Sequence, residues 1–216
     1  RRNGVGNEQT DAYLRITVSR GAGEIGLDPG LCPRATVVIM AKPLHPSPPV
    51  LSRDGVSLTV ANTRRNLPEA LSPQIKSTNF LNNILAKRES IAAGTFDSLF
   101  LNWKDELTEC TVSNLFFISG KTLHTPALDC GILDGITRTI VMTLAQEEGV
   151  PVREGHYHLA DLQRAEECFL TNTSMEIMPV NRVDSFAIGD GRPGSLTRRL
   201  QTRFADSRTR FLEPPS

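Results

Sequence analysis

One segment constrains the chain more than any other: Glu109–Arg138, ECTVSNLFFISGKTLHTPALDCGILDGITR. It sets an acid before a β-rich run, then a Leu-His-Thr turn, then a glycine-rich stretch that opens a helix. β-Branched and aromatic residues in TVSNLFFI favour a strand over Asn114–Ile118, with Glu109 near its start. Gly131 and Gly135 flank a tight turn, and a helix follows from about Gly135 to Glu148, ended by Gly149. A helix start collects anions, because its first N–H groups lack partners in the helix and its dipole points at the ligand. The amides of Ile136 and Thr137, with the Thr137 hydroxyl, make such a start. Taken alone, ordinary capping by Asp134 explains it equally well.

Composition bounds the rest. The 216 residues are 39% hydrophobic and 22% charged, enough for a packed core. Basic and acidic residues balance at 24 each, so nothing in the net charge calls for nucleic acid or an anionic membrane as partner. No apolar run reaches the roughly 18 residues that a bilayer span needs. The start, RRNGVGNEQTDAY, has no apolar signal core. Cys32, Cys110, Cys130 and Cys168 are scattered without metal-ligand spacing, which favours reduced thiols in a cytoplasmic protein and no metal. Cys168 reads as a buried strand residue, and His156 and His158 as alternating positions of a short extended segment.

Tyr13–Ser19 alternates as a half-buried strand, and Ala35–Ala41 as a more buried one. KPLHPSPPV reads as an interdomain linker, with a boundary near Ser52 between a small domain (1–52) and a larger one (53–216). In the larger part, Ser77–Ala93 has a helical pattern, with Phe80, Leu81, Ile84, Leu85 and Ile91 on one stripe. Short strands are expected at Ser98–Leu101, Val150–Arg153, Glu167–Leu170, Met178–Val180 and Ser185–Ile188, and a last helix over Gly194–Asp206. The mixture predicts an α+β (mixed α/β) fold rather than regular βαβ alternation.

Three further features bear on chemistry. Lys76, at a junction between an extended segment and a helix, can lose hydration, which lowers an ammonium's pKa and prepares it to attack an aldehyde. Alone it is an ordinary surface lysine. Glu109, if it points into a pocket, can keep a pyridine nitrogen protonated. Alone it is a strand-edge acid. TNTS at Thr171–Ser174 clusters polar side chains after the buried run ECFL, as a turn or a ligand site.

Together these residues resemble the class IV (fold type IV) pyridoxal-phosphate aminotransferase family. The ordered signature reads here as Glu109, Thr111, Asn114, Leu115, Phe116, Leu123, Thr125, Leu133, Gly135, Ile136 and Arg138. KSTNFLNNILAKRES resembles the family's lysine-bearing segment, TNTSMEIMPV its second phosphate-binding turn, and GDGRPGSLTRRL its C-terminal segment. The similarity runs from about Tyr13 to Phe204. It implies a two-domain fold with pyridoxal 5′-phosphate between the domains. It implies that Lys76 bonds to the cofactor and moves protons. Glu109 would then hold the pyridinium nitrogen and Leu133 would pack on the ring. Gly135, Ile136, Thr137 and Thr173 would hold the phosphate, with Ser174 at both phosphate turn and substrate carboxylate. Asn172, Arg15 and Arg20 are expected to face substrate.

The resemblance also implies a stretch before Tyr13, bearing a phosphate-binding arginine and pocket aromatics. The small domain is therefore expected to be truncated here. An incomplete sequence explains this better than a shortened, inactive form, because the first residues start inside an expected helical region. Phe80 stands where many members have a tyrosine that bonds the ring-binding glutamate. TNTS replaces the usual Gly-Thr-Ala of branched-chain enzymes, and Asn172 is closer to aminodeoxychorismate lyases. The reaction expected is transamination between a branched-chain or similar amino acid and a 2-oxo acid, by a homodimer. Pyruvate elimination from 4-amino-4-deoxychorismate and D-amino acid transamination are the alternatives.

Overall fold

The computed structural model describes residues 11–208 and 210. The first residues, where a helical region is expected, lie outside them. The chain divides into a unit ending at Pro46 and a unit beginning at Ser47. The division thus falls within the proline-rich segment. Ser52 belongs to a short helix, α1 (Pro49–Asp54), of the second unit.

The first unit is an antiparallel ribbon of β1 (Ala12–Ser19) and β2 (Thr36–Pro43), in register from Ala12 opposite Pro43 to Ser19 opposite Thr36. Period-2 alternation puts Leu14, Ile16 and Val18 on one face with Val37 and Ile39. The expected burial is not seen: these side chains are exposed, and every residue of β2 is exposed. Two strands alone cannot bury a face. The connecting loop is braced by Arg20, whose Nη2 donates to the carbonyls of Pro29 (2.5 Å) and Cys32 (3.2 Å).

The second unit continues with β3 (Val56–Val60), α2 (Leu81–Ala93), β4 (Asp97–Leu101), β5 (Leu107–Cys110), β6 (Asn114–Ser119) and β7 (Thr122–Pro126). Then come α3 (Ile136–Glu147), β8 (Val152–Gly155), α4 (Leu159–Gln163), β9 (Glu167–Asn172), β10 (Glu176–Val183), β11 (Phe186–Ala187) and α5 (Ser195–Asp206). β10, β3, β4, β5, β6 and β9 pair in that order, and β9 pairs again with β10, so the ladder closes on itself. Closure leaves no free edge within the ring. β7 and β8 extend the sheet from β6, and β11 from β10.

Alternation along the strands builds two cores. Leu115, Phe117, Cys168, Leu170, Met178 and Val180 point to one cluster with Leu58, Leu99 and Leu107. Phe116, Ile118, Phe169 and Ile177 point the other way, against Val141 and Leu144 of α3 and Leu196 and Leu200 of α5. The rings of Phe116 and Phe169 stack at 5.1 Å.

Three local expectations are corrected. The Leu-His-Thr run lies in β7. The chain reverses earlier, at Gly120 and Lys121, whose positive φ values of 58° and 65° suit a tight hairpin. The helix expected from Ser77 starts at Leu81, because Ser72–Asn79 is held in turns by bonds such as Asn79 N–H to Ser77 Oγ (3.3 Å). Its apolar stripe, Leu81, Ile84, Leu85 and Ile91, is exposed. The buried side instead carries Ala86 and Ser90, and Ser98 Oγ of β4 donates to the Ala86 carbonyl (2.7 Å). Small residues there let helix and strand approach closely.

Phe169 joins β9 to the helix layer at full burial. Phe169→Ala is expected to cost about 3–5 kcal/mol in chemical denaturation, and a loss under about 1 kcal/mol would show that this core collapses around the gap.

Candidate active site

The site is centred on Glu109, which lies near the end of β5 rather than beginning the next strand as expected. Its side chain is buried, and so is that of Arg65, in the segment between β3 and α2. Arg65 Nη2 lies 2.6 Å from Glu109 Oε1. Glu109 Oε2 accepts from Asn114 Nδ2 and from the Leu133 amide, each at 3.1 Å. An ionised carboxylate has about four acceptor positions. Three are filled, and the remaining one is on Oε1. Burial pushes this carboxyl up to about 7, while the Arg65 charge, the Leu133 amide and Lys76 pull it back.

Arg65 is itself fixed. Its Nε donates to the Gly131 carbonyl (3.2 Å), Nη1 reaches Asn82 and Asn83 of α2 (3.5 and 3.4 Å), and the guanidinium lies over the Phe100 ring. Asn83 in turn donates to the Thr111 carbonyl (2.7 Å), so α2 is tied to the turn after Glu109. Arg65 is not among the residues expected from the sequence. Its only signal there is a second arginine in ANTRRNLPEA, and nothing local distinguishes it from the half-exposed Arg64.

Asn114, opposite Glu109 in the β5–β6 pair, also donates to the Leu133 carbonyl (2.8 Å). Gly135 sits against it: a Cβ there would lie 2.2 Å from Asn114 Oδ1. The glycine is required by this approach, since its φ of −80° is open to any residue. Gly135, not Asp134, is the N-cap of α3, and it has no side-chain capping bond. The first helical bond from this end runs from the Thr139 amide to the Gly135 carbonyl (3.0 Å), which leaves the amides of Ile136, Thr137 and Arg138 ahead of it. Ile136 is exposed and Thr137 buried. Arg138, also buried, donates to Pro126 O (3.1 Å) and Glu154 Oε2 (2.5 Å), anchoring the helix start to β7 and β8.

Lys76 is exposed, in the turns before α2, and its charge acts on the Glu109 carboxyl. Leu133 is half-buried, with both backbone groups engaged around Glu109 and Asn114. Thr171 pairs with Asn114 across β9 and β6, so the turn after β9 shares this end of the sheet. In that turn Thr173 and Ser174 lie near the surface, Thr173 and Ser174 following the strand end at Asn172. Asn172, expected to face substrate, also holds the turn: its Oδ1 accepts from the amides of Ser174 (2.9 Å) and Met175 (2.8 Å), and its Nδ2 donates to Val112 O (3.2 Å). Arg15, exposed on β1, and Arg20, in its loop, belong to the first unit.

Removing one partner of a buried ion pair strands the other charge. Arg65→Ala is expected to destabilise the fold by about 3–5 kcal/mol. Arg65→Met with Glu109→Leu is expected to regain most of that in denaturant titrations, and equal losses in the single and double variants would contradict the pairing.

The profile of the family described as amino-transferase class IV matches residues 1–183. A candidate branched-chain-amino-acid aminotransferase of Methanocaldococcus jannaschii is 39% identical over 205 residues, covering 95% of this chain and 70% of the relative. The aminodeoxychorismate lyase of Bacillus subtilis is 33% identical, covering 88% of this chain and 64% of its own. Among solved structures, the Escherichia coli branched-chain amino acid aminotransferase superposes with a TM-score of 0.86 at 30% identity, over 90% of this chain and 65% of that one. This chain thus spans about two thirds of each of these three proteins. It is a member of the class IV aminotransferase family.

Proposed function

We propose that this chain belongs to a pyridoxal-phosphate-dependent enzyme that transfers an amino group between an amino acid of the branched-chain type and a 2-oxo acid. The observation that carries the reading is the buried Glu109 carboxylate, oriented by Arg65, Asn114 and the Leu133 amide, with one acceptor position left. Enzymes of the class IV aminotransferase family use this cofactor, and one of the similar solved structures, a branched-chain amino acid aminotransferase at 28% identity and a TM-score of 0.86, holds pyridoxamine 5′-phosphate.

The residues fit the group. The open position on Glu109 suits a ring N–H. The α3 start has three amides ahead of its first bond and a glycine whose close packing leaves no room for a side chain. When bound, the cofactor supplies a ring that withdraws the charge left at the substrate's α-carbon. The protein's part is then divided. Glu109 keeps the ring nitrogen protonated. Leu133 packs on the ring face. The amides of Ile136 and Thr137, with the Thr137 hydroxyl and Thr173, hold the phosphate, and Gly135 keeps the approach open. Ser174 faces the phosphate and the substrate carboxylate. Lys76, exposed beside the site, would hold the cofactor's aldehyde and would carry a proton to and from the substrate's α-carbon. Arg15 and Arg20 recognise a carboxylate. The enzyme works as a cytoplasmic homodimer. No helix among the described residues is long and apolar enough to cross a membrane.

The branched-chain reading rests on the M. jannaschii relative and the structural matches. The lyase of B. subtilis and D-alanine aminotransferases of Listeria monocytogenes, 38% identical over 136 residues, represent the alternative reactions. Asn172, whose side chain also holds the turn after β9, faces the substrate.

Borohydride reduction in the presence of pyridoxal phosphate, followed by peptide mass mapping, is expected to leave the pyridoxyl group on Lys76 and none in Lys76→Ala. Label on another lysine would overturn the assignment. Glu109→Gln keeps the shape but not the charge and is expected to lower kcat on the order of 10²-fold. In parallel assays with L-leucine, D-alanine and aminodeoxychorismate, activity is expected with L-leucine and a 2-oxo acid. Pyruvate released without an acceptor would move the enzyme to the lyases.

A further inference from the structure

A second cluster of reactive side chains, linked to the Glu109 site through the Cys130 and Gly131 carbonyls, takes no part in the proposed reaction. Glu106, Cys130 and His156 come from three separate loops, before β5, after β7 and after β8. One ligand atom from each lies within 4.8 Å of the others. His156 Nδ1 is 3.1 Å from Glu106 Oε1 and 3.5 Å from Cys130 Sγ. We propose that these residues form a binding site for a borderline-soft divalent cation of the zinc class, with Glu106, Cys130 and His156 as ligands and a fourth position open to solvent.

The spacing fits. Zinc–sulfur bonds of about 2.3 Å and zinc–nitrogen or zinc–oxygen bonds of about 2.1 Å, at tetrahedral angles, place neighbouring ligand atoms about 3.3–3.6 Å apart. The ligand types suit zinc, nickel or cobalt better than magnesium or calcium, which prefer all-oxygen sites. Access is also provided, because His156 is 46% exposed while Cys130 is buried.

The groups around the ligands make the stronger case. A metal-bound histidine ring donates its other N–H to a carboxylate or carbonyl, which fixes its tautomer and orientation. Here Nδ1 faces Glu106 and Cys130, while Nε2 lies 3.4 Å from Asp129 Oδ2. The second oxygen of Glu106 is held in the same way, by Asn102 Nδ2 at 2.7 Å. The backbone is fixed too. Leu107 N–H donates to Tyr157 O (2.6 Å), Ala127 N–H to Gly155 O (3.0 Å) and Cys130 N–H to Ala127 O (3.1 Å). A hydrogen-bonded Glu–His–Asp triad accounts for Glu106, His156 and Asp129; the Cys130 thiol also reaches the Gly155 carbonyl (3.7 Å), a bond it would give up on binding an ion as thiolate.

An ion there would cross-link the three loops. It would also reach the cofactor anchor, because Asn102 Nδ2 donates to the Cys130 carbonyl (3.2 Å) and the next carbonyl, Gly131, accepts from Arg65. The sequence hides this site. Residues 106, 130 and 156 have no ligand spacing, and only the pairing of β7 with β8 and the Glu106–His158 bridge brings them together.

Cobalt(II) is the probe. Titrated into the purified, chelator-stripped protein without added cofactor, it is expected to give visible bands of a tetrahedral site with a thiolate ligand, saturating at one equivalent. Cys130→Ser should abolish the thiolate signature, and His156→Ala should abolish tight binding. Asp129→Asn changes an exposed residue that does not endanger folding, and it should weaken binding by about 10–100-fold. Absence of a saturating spectrum, or one that survives both Cys130→Ser and His156→Ala, overturns the site. An affinity unchanged in Asp129→Asn overturns the assignment of Nδ1 as the ligand atom.

Discussion

The buried ion pair between Arg65 and Glu109 is the constraint on which the rest of the site depends. Burial raises this carboxyl to about 7, and only the cations and N–H groups around it draw it back toward the charged form. Arg65, Asn114 and the Leu133 amide provide that surround, and each is fixed in turn by another part of the fold. Arg65 ties α2 and the Gly131 turn to β5. Asn114 ties β6 to the approach of α3. Gly135 lets that approach happen, because any side chain there would strike Asn114. The acid and the helix start, apart in sequence, are thereby placed by the same few bonds.

The closed ring of strands explains why these bonds hold their geometry. Glu109, Asn114 and Thr171 are neighbours across β5, β6 and β9. Those strands are clamped by cores on both faces, with Leu115 and Phe117 on one side and Phe116 and Phe169 on the other. Glu109 and Asn114 sit on the strands themselves, an arrangement that holds a site more precisely than loops do, and the long connection from β3 to α2 that carries Lys76 is pinned to them through Arg65.

Much of this was legible in the sequence, and the failures have physical causes. The segment from Glu109 to Arg138 and the helix from Ile136 could be read because their signals are local: an apolar run, glycines and a helical period. Arg65 could not be read, since its burial follows from a partner 44 residues away. The apolar stripe of α2 was legible as a stripe but not as an exposed one, because periodicity identifies a face without saying what covers it. The bonds of Asn172 to Ser174, Met175 and Val112 could not be read, because they depend on the turn's shape. The Leu-His-Thr run looked like a turn because its hairpin is made by Gly120 and Lys121 just before it.

Everything proposed for the site turns on Glu109, held by Arg65 and Asn114, receiving a pyridinium N–H. The most direct measurement is nitrogen NMR of the protein loaded with pyridoxal phosphate labelled with ¹⁵N in the ring. The expected result is a protonated ring nitrogen, hydrogen-bonded to a carboxylate, that stays protonated through neutral pH. An unprotonated pyridine nitrogen, or one whose signal is the same in Glu109→Gln, would contradict it.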